Sequence, residues 1–371
     1  MNRAKTAIEK LLAEADIRIN GNRPWDVNVH DERFYRAVLR GGSLAFGESY
    51  MAGWWDSEAV DELIYRIFVH GLMSKIRFTP ANVALYLGTL TRNVGRKSKA
   101  FEIGEKHYDS GNDLFERMLD KRLTYTCGYW RNAKDLNEAQ EAKLDLVCWK
   151  LGLTSGQAVL DVGCGWGSFA KFAAEKYNAH VTGVTVSKEQ VELGRELCRG
   201  LPVEFRLQDY RDITGNFDHI VSLGMFEHVG YKNYREYFCA MRDHLKDGGL
   251  FLLHTIGSNT SGTHTDPWIS KYIFPNGMLP SIAQIGKAIE KKFIMEDWHN
   301  FGTDYDKTLM AWFKNFDSRW PEIASTYGNT FYRMWKFYLL SCAGSFRARH
   351  NELWQIVLSK HGVPGGYESV R

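Results

Sequence analysis

The 371-residue chain has little cysteine chemistry to offer. Its six cysteines, Cys127, Cys148, Cys164, Cys198, Cys239 and Cys342, include no C-x-x-C pair. That argues against a zinc site and against a dithiol redox centre. Six scattered cysteines in a chain this long point to reduced thiols and a cytosolic setting. Long apolar runs are missing too, so no bilayer-spanning helix is expected. The opening Met1-Asn2-Arg3-Ala4-Lys5 leads into an amphipathic pattern rather than an apolar signal core. A soluble or peripheral protein is expected. Charge is nearly balanced: 47 Lys and Arg against 44 Asp and Glu leave +3, which gives no ground for a nucleic-acid partner. Internal repeats and low-complexity tracts are absent.

One absence is local. No Asp or Glu occurs from Leu63 to Phe101, while Arg66, Lys75, Arg77, Arg92, Arg96, Lys97 and Lys99 all do. Such a stretch reads as a solvated basic linker or as an attraction to anionic headgroups. What the chain has in excess is aromatic: 14% of residues, including 12 Trp. An apolar ligand site or a membrane contact would use them.

Ile8, Leu11, Leu12 and Ala15 recur at helical spacing. Asp56-Ser57 precedes a second helix bearing Val60, Leu63, Ile64, Ile67, Phe68 and Leu72. Thr79-Pro80 opens a third, with Val83, Tyr86, Leu87 and Leu90. Residues 1–90 therefore read as a small helical domain, 91–105 as a basic linker and 106–371 as the main domain. Strands are predicted at 158–162, 180–186, 203–207, 217–223 and 249–254, with helix-length segments between them. That alternation predicts a doubly wound parallel α/β sheet, whose ligands bind beyond the carboxyl ends of its strands. An aromatic-rich insertion (266–277), helices near 307–316 and 331–345 and a last strand at 353–358 follow.

The first of those strand ends carries Asp161-Val162-Gly163-Cys164-Gly165-Trp166-Gly167, with a helix starting at Ser168. Glycines permit a tight turn and a close ligand, and the helix start offers free N–H groups. The acid two positions ahead of the glycines departs from the dinucleotide pattern. It resembles the first motif of class I methyltransferases that bind S-adenosylmethionine (SAM). The second strand ends in Thr185-Val186-Ser187-Lys188-Glu189-Gln190, where Gln190 could meet a ribose. The third ends in Gln208-Asp209-Tyr210-Arg211, where Tyr210 could face adenine. Each also reads as an ordinary turn. The fourth and fifth end in Glu227-His228 and in His254-Thr255-Ile256, two neighbouring titratable groups where a reacting group would lie. Upstream, Tyr125-Thr126-Cys127 sets a thiol among aromatics.

Nearly the whole chain resembles the bacterial cyclopropane-fatty-acyl-phospholipid synthases. The matching segments are 47–51, 107–115, 159–167, 224–230, 252–257, 271–277 and 295–305. The resemblance implies a class I SAM-dependent methyltransferase, of Rossmann-like α/β fold, with an N-terminal helical domain that binds lipid. It implies methyl transfer from SAM to the cis double bond of a phospholipid acyl chain. A bound bicarbonate ion then takes a proton, a cyclopropane ring closes and S-adenosylhomocysteine leaves. Carried over by motif, Cys127, Glu227, His254, Tyr305 and the Ile256 N–H would hold the bicarbonate. Gly163, Cys164, Gly165, Trp166 and Gly167 would surround the amino-acid end of SAM, with Tyr108, Tyr125 and Thr126 nearby. Thr185 and Gln190 would meet the ribose, and Tyr210 and Arg211 would flank adenine. Relatives often carry Trp where Tyr210 stands. Cys342 also matches, and is read either as a nucleophile or, more plainly, as a small helix-packing residue. A homodimer attached peripherally to the inner face of the bacterial cytoplasmic membrane is implied. Competing readings are a small-molecule N-methyltransferase, a mycolate-modifying enzyme and a catalytically silent lipid-binding protein.

Overall fold

A computed structural model describes residues 3–72, 75 and 112–371. The helix expected from Thr79-Pro80, the basic linker 91–105 and Tyr108 lie outside the described residues. The chain divides into two compact units. The first gathers Met1–Arg92, Thr263–Pro275 and Tyr305–Asn351, and the second Asn93–Gly262, Asn276–Asp304 and Glu352–Arg371. Among the described residues, no helix is long and apolar enough to cross a membrane. All six cysteines are free thiols.

The first unit is helical apart from a two-stranded ribbon, β1 (Asn28–Val29) with β2 (Trp55–Asp56). The predicted early helices appear at Arg3–Ala13 and Val60–Val69. A helix at Arg33–Met51 was not foreseen. It is kinked at Gly42, whose φ of +56° suits glycine. Distant segments complete this unit because their side chains fit it. Gly344, on the helix Ala324–Arg347, lies so close to the helix Val60–Val69 that a Cβ there would stand 2.3 Å from the Asp61 carbonyl oxygen. Trp268, from the aromatic insertion, covers Gly47 in the same way at 2.4 Å. Arg333 donates to the carbonyls of Tyr50 and Trp55 and to Asp56. Trp55 is wholly buried and stacks on Phe46 at 4.4 Å, so it is core rather than contact surface.

The second unit is built on a seven-stranded sheet of order β5-β4-β3-β6-β7-β9-β8. Its strands are β3 (Ala158–Val162), β4 (His180–Thr185), β5 (Val203–Leu207), β6 (Phe217–Leu223), β7 (Leu245–Gly257), β8 (Ile294–Asn300) and β9 (Glu352–Ser359). The five strands β3–β7 run parallel, as expected. The sheet as a whole is mixed: β9 lies antiparallel to β7, and β8 antiparallel to β9. Strand β8 was not foreseen. Its sequence mixes Glu296, Asp297 and His299 among apolar residues, as an edge strand with one open side can. Strand order reverses between β3 and β6, with β4 on one side of β3 and β6 on the other. That opens a crevice at their carboxyl ends.

Candidate active site

Strand β3 runs into three glycines in the left-handed region: Gly163, Gly165 and Gly167, with φ of +79°, +56° and +85°. A Cβ on Gly163 would meet the Met225 side chain at 2.5 Å, so only glycine lets the turn pass under the next loop. The helix Ser168–Tyr177 follows, and its N-cap Gly167 supplies no side-chain cap. Its first N–H groups are thus left to a ligand or to solvent.

A cavity of about 180 Å³ opens above this turn. Tyr125, Thr126, Gly163, Cys164, Gly165, Trp166, Thr185, Gln190, Tyr210 and Arg211, all expected at the SAM site, line it together. Gly167 is not on its wall; a Cβ there would strike Phe205 at 2.4 Å. Thr185 and Gln190 bond to each other at 2.7 Å, so they present one polar unit at the end of β4. The Arg211 guanidinium lies over the Tyr210 ring at 4.4 Å and bonds Asp209 at 3.1 Å. Tyr210 also packs edge-on against Tyr237 at 5.1 Å.

Two buried groups escaped the site reading of the sequence, one on the cavity wall and one bonded to it. Asp161 lines the cavity, is 2% exposed and has no partner for its Oδ2. Burial pushes its carboxyl up to about 7, against the pull of Lys143. Lys143, wholly buried on the helix Leu136–Leu151, donates to Thr126 Oγ1 at 2.8 Å. The motif's acid was a signal for Asp161. Lys143 had none, since a lysine on a helix normally reads as a solvated face.

The next strand ends hold the second cluster. Glu227 sits on a short 3₁₀ turn after β6, and its Oε1 accepts the Ile256 N–H at 2.7 Å. Its Oε2 is buried without a partner. Burial pushes this carboxyl up to about 7 as well, opposed by the Ile256 N–H. His254 stands two residues before Ile256 on β7 and is held neutral by burial. Gln355 Nε2 approaches its Nδ1 at 3.3 Å, while Nε2 is buried with no partner. With the Gln355 amide assigned that way, Nδ1 accepts and Nε2 carries the proton. Cys127 is wholly buried, and its thiol donates to the Gly128 carbonyl at 3.2 Å. The Ile256 N–H, expected to meet an ion, is thus taken by Glu227. Tyr305 belongs to the other unit, where its ring packs on Phe346 at 4.5 Å. Cys342 lies in that unit too, its thiol pushed up to about 12 by burial. Such a thiol is a poor nucleophile.

Sheet order, glycine turn and cavity define the class: a class I SAM-dependent methyltransferase. Residues 95–356 match the family model described as mycolic acid cyclopropane synthetase. The chain is 49% identical to the cyclopropane-fatty-acyl-phospholipid synthase of Escherichia coli strain K12, over 98% of this chain and 94% of that one. Among solved structures it is similar to the cyclopropane synthase MmaA2 of Mycobacterium tuberculosis. There the TM-score is 0.67 and the identity 30%, covering 72% of this chain and 100% of that one. It is also similar to the mycolic acid cyclopropane synthase CmaA1, complexed with S-adenosylhomocysteine and CTAB. The TM-score there is 0.66 and the identity 32%, covering 70% and 98%. The chain belongs to the cyclopropane synthase family.

Proposed function

We propose that this chain transfers the SAM methyl group to the cis double bond of unsaturated phospholipid acyl chains and closes a cyclopropane ring. The observation that carries the reading is Glu227: a buried carboxylate anchored at one oxygen by the Ile256 N–H, with the other oxygen unpartnered. The likeness to the Escherichia coli enzyme along almost the whole chain supports a phospholipid substrate over an amine.

SAM enters the cavity above the glycine turn. Asp161 Oδ2 accepts a hydrogen bond from its amino group, and the N–H groups opening the helix Ser168–Tyr177 receive its carboxylate. Thr185 with Gln190 meets the ribose, and Tyr210 with Arg211 borders the adenine. The alkene attacks the SAM methyl carbon, the sulfur leaves with the bonding electrons, and a carbocation forms on the acyl chain. Aromatic faces shield that cation without trapping it.

Loss of a proton from the new methyl group closes the ring. Bicarbonate, when bound, supplies the base. Two buried, unpartnered polar atoms, Glu227 Oε2 and His254 Nε2, suit a small polar ion in an apolar site. Glu227 must accept from the ion's O–H, since two facing anions would repel. His254 donates from Nε2. The Ile256 N–H acts one step back by aiming Glu227. Cys127 completes the set by resemblance, and Cys342 serves helix packing.

Residues 1–90 form the lipid-binding domain in this reading, 91–105 a basic linker and 106–371 the catalytic domain. Exposed Leu39 and Val69 and the acid-free basic stretch supply a peripheral contact with anionic membranes, at the inner face of the cytoplasmic membrane. The chain acts as a homodimer, which light scattering would check.

The test is mass spectrometry of unsaturated phospholipid vesicles incubated with SAM and either wild type or Glu227→Gln. The expected product gains one CH₂ and loses the double bond, and only the wild type forms it. Bound SAM with no lipid product from the wild type would overturn the phospholipid reading.

A further inference from the structure

Among the described residues, the His254 ring has a single hydrogen-bond partner, Gln355. Gln355 is wholly buried on β9 and directs its Nε2 at His254 Nδ1 from 3.3 Å. The sheet itself sets this contact. β9 lies between β7 and β8, and Gln355 stands in register with His254 on one side and with His299 on the other. Register partners share a face of the sheet, so these side chains form one row. The Phe301 ring packs edge-on against His254 at 6.0 Å and tilted against His299 at 4.9 Å, an apolar neighbour to both.

A neutral imidazole carries one proton, and the nitrogen that accepts a hydrogen bond is the one without it. Burial holds His254 neutral. An amide nitrogen donates and does not accept, so Nδ1 is the bare nitrogen and Nε2 bears the proton. Nε2 is buried without a partner, as is Glu227 Oε2. With Glu227 accepting, the opposite tautomer would have these two atoms offer an anion two acceptors and no donor. The tautomer that Gln355 sets offers one donor and one acceptor, which matches an anion carrying a single O–H.

We propose that Gln355 is a positioning residue: its amide fixes the His254 tautomer, so that Nε2 presents an N–H to the bound base. The tautomer stands on the sheet geometry, and what the N–H meets rests on the bicarbonate reading of the site.

The test joins ring-nitrogen NMR of histidine-labelled protein with turnover of Gln355→Met and Gln355→Glu. The His254 signals are those missing from His254→Gln. In the wild type Nε2 is expected to be the protonated nitrogen, with Nδ1 shifted as a hydrogen-bond acceptor. Gln355→Met keeps the shape and removes the donor. Its Nδ1 signal is expected to move toward that of an unbonded nitrogen, and cyclopropane formation at fixed bicarbonate to fall about tenfold. SAM affinity, by calorimetry, should stay within about twofold. Gln355→Glu is expected to be more active than Gln355→Met. As an acid it donates to Nδ1, and as a carboxylate it draws a second proton onto the ring, and both leave Nε2 protonated. A packing role predicts the reverse order, since a buried carboxyl suits a core less well than a thioether. A proton on Nδ1 in the wild type, an unmoved Nδ1 signal in Gln355→Met, or a Met variant more active than the Glu one would each overturn the proposal. Should Gln355→Glu not fold, the wild-type tautomer and the Nδ1 shift in Gln355→Met decide. Wild-type turnover indifferent to bicarbonate would sink the ion instead, and the two NMR results would still judge Gln355.

Discussion

Two neighbouring strand ends of one sheet each bury a carboxylate, and they treat it differently. At the end of β3, Asp161 has a buried ammonium, Lys143, within reach. At the end of β6, Glu227 has a backbone N–H at 2.7 Å and, close by on β7, a neutral imidazole. Burial pushes both carboxyls up to about 7. A cation favours the ionised form over a distance, whereas one amide bond mainly fixes direction. The first arrangement suits a carboxyl that a cationic ligand can draw into its charged form. The second suits one that must aim a hydrogen bond.

The comparison breaks most visibly if Glu227 loses its acceptor oxygen. Glu227→Gln is expected to lower cyclopropane formation by on the order of 10²-fold or more, because the proton acceptor is then misaimed. SAM binding, measured by calorimetry, should stay within about twofold, since the change lies outside the amino-acid end of the SAM site.

The same variant tests burial through stability. Between the ordinary Glu value of 4.5 and about 7, the folded chain holds a proton that the unfolded chain has released. Stability therefore falls as pH rises through that window. Glu227→Gln lacks this loss. Denaturant unfolding should find it gaining on the wild type between about pH 5 and about pH 8, by on the order of 2 kcal/mol. An unchanged difference across that range would mean that Glu227 is ionised throughout.

Asp161→Asn sharpens the other side. It is expected to weaken SAM binding by about tenfold, roughly 1.4 kcal/mol, as a charged acceptor becomes a neutral one. Turnover at saturating SAM should fall much less than in Glu227→Gln. The smallest effect is expected at Cys342. Cys342→Ala should leave kcat within about twofold and lower stability by about 1 kcal/mol or less, as befits a small packing residue.

The five parallel strands were legible because each is a largely apolar run or, in β5, an apolar–polar alternation, bounded by turn residues, and that local pattern survives without knowledge of the rest. Strand β8 was not. Residues Ile294–Asn300 carry no clean alternation, and their extended form depends on pairing with β9, where Met295 faces Leu358 and His299 faces Gln355. Glycines 163, 165 and 167 read correctly as a tight turn because their positive φ is a property glycine brings itself. The aromatic insertion was visible as a composition, yet its packing of Trp268 onto Gly47 joins residues more than two hundred positions apart.

The nature of the site was thus written locally: a strand, a glycine turn, an acid ahead of it, and Glu227 and His254 at successive strand ends. Those follow from hydrophobic periodicity and backbone freedom, which act over a few residues. Which charges are buried, and beside what, was decided by the assembled structure. Lys143 stands on an ordinary stretch of helix and holds the cavity residue Thr126 only once the fold brings the two together. The Ile256 N–H meets Glu227 only after β6 and β7 pair in register, with Leu223 against His254. Electrostatics and packing act between residues distant in the chain, so the partners of a buried charge exist only once the chain has folded.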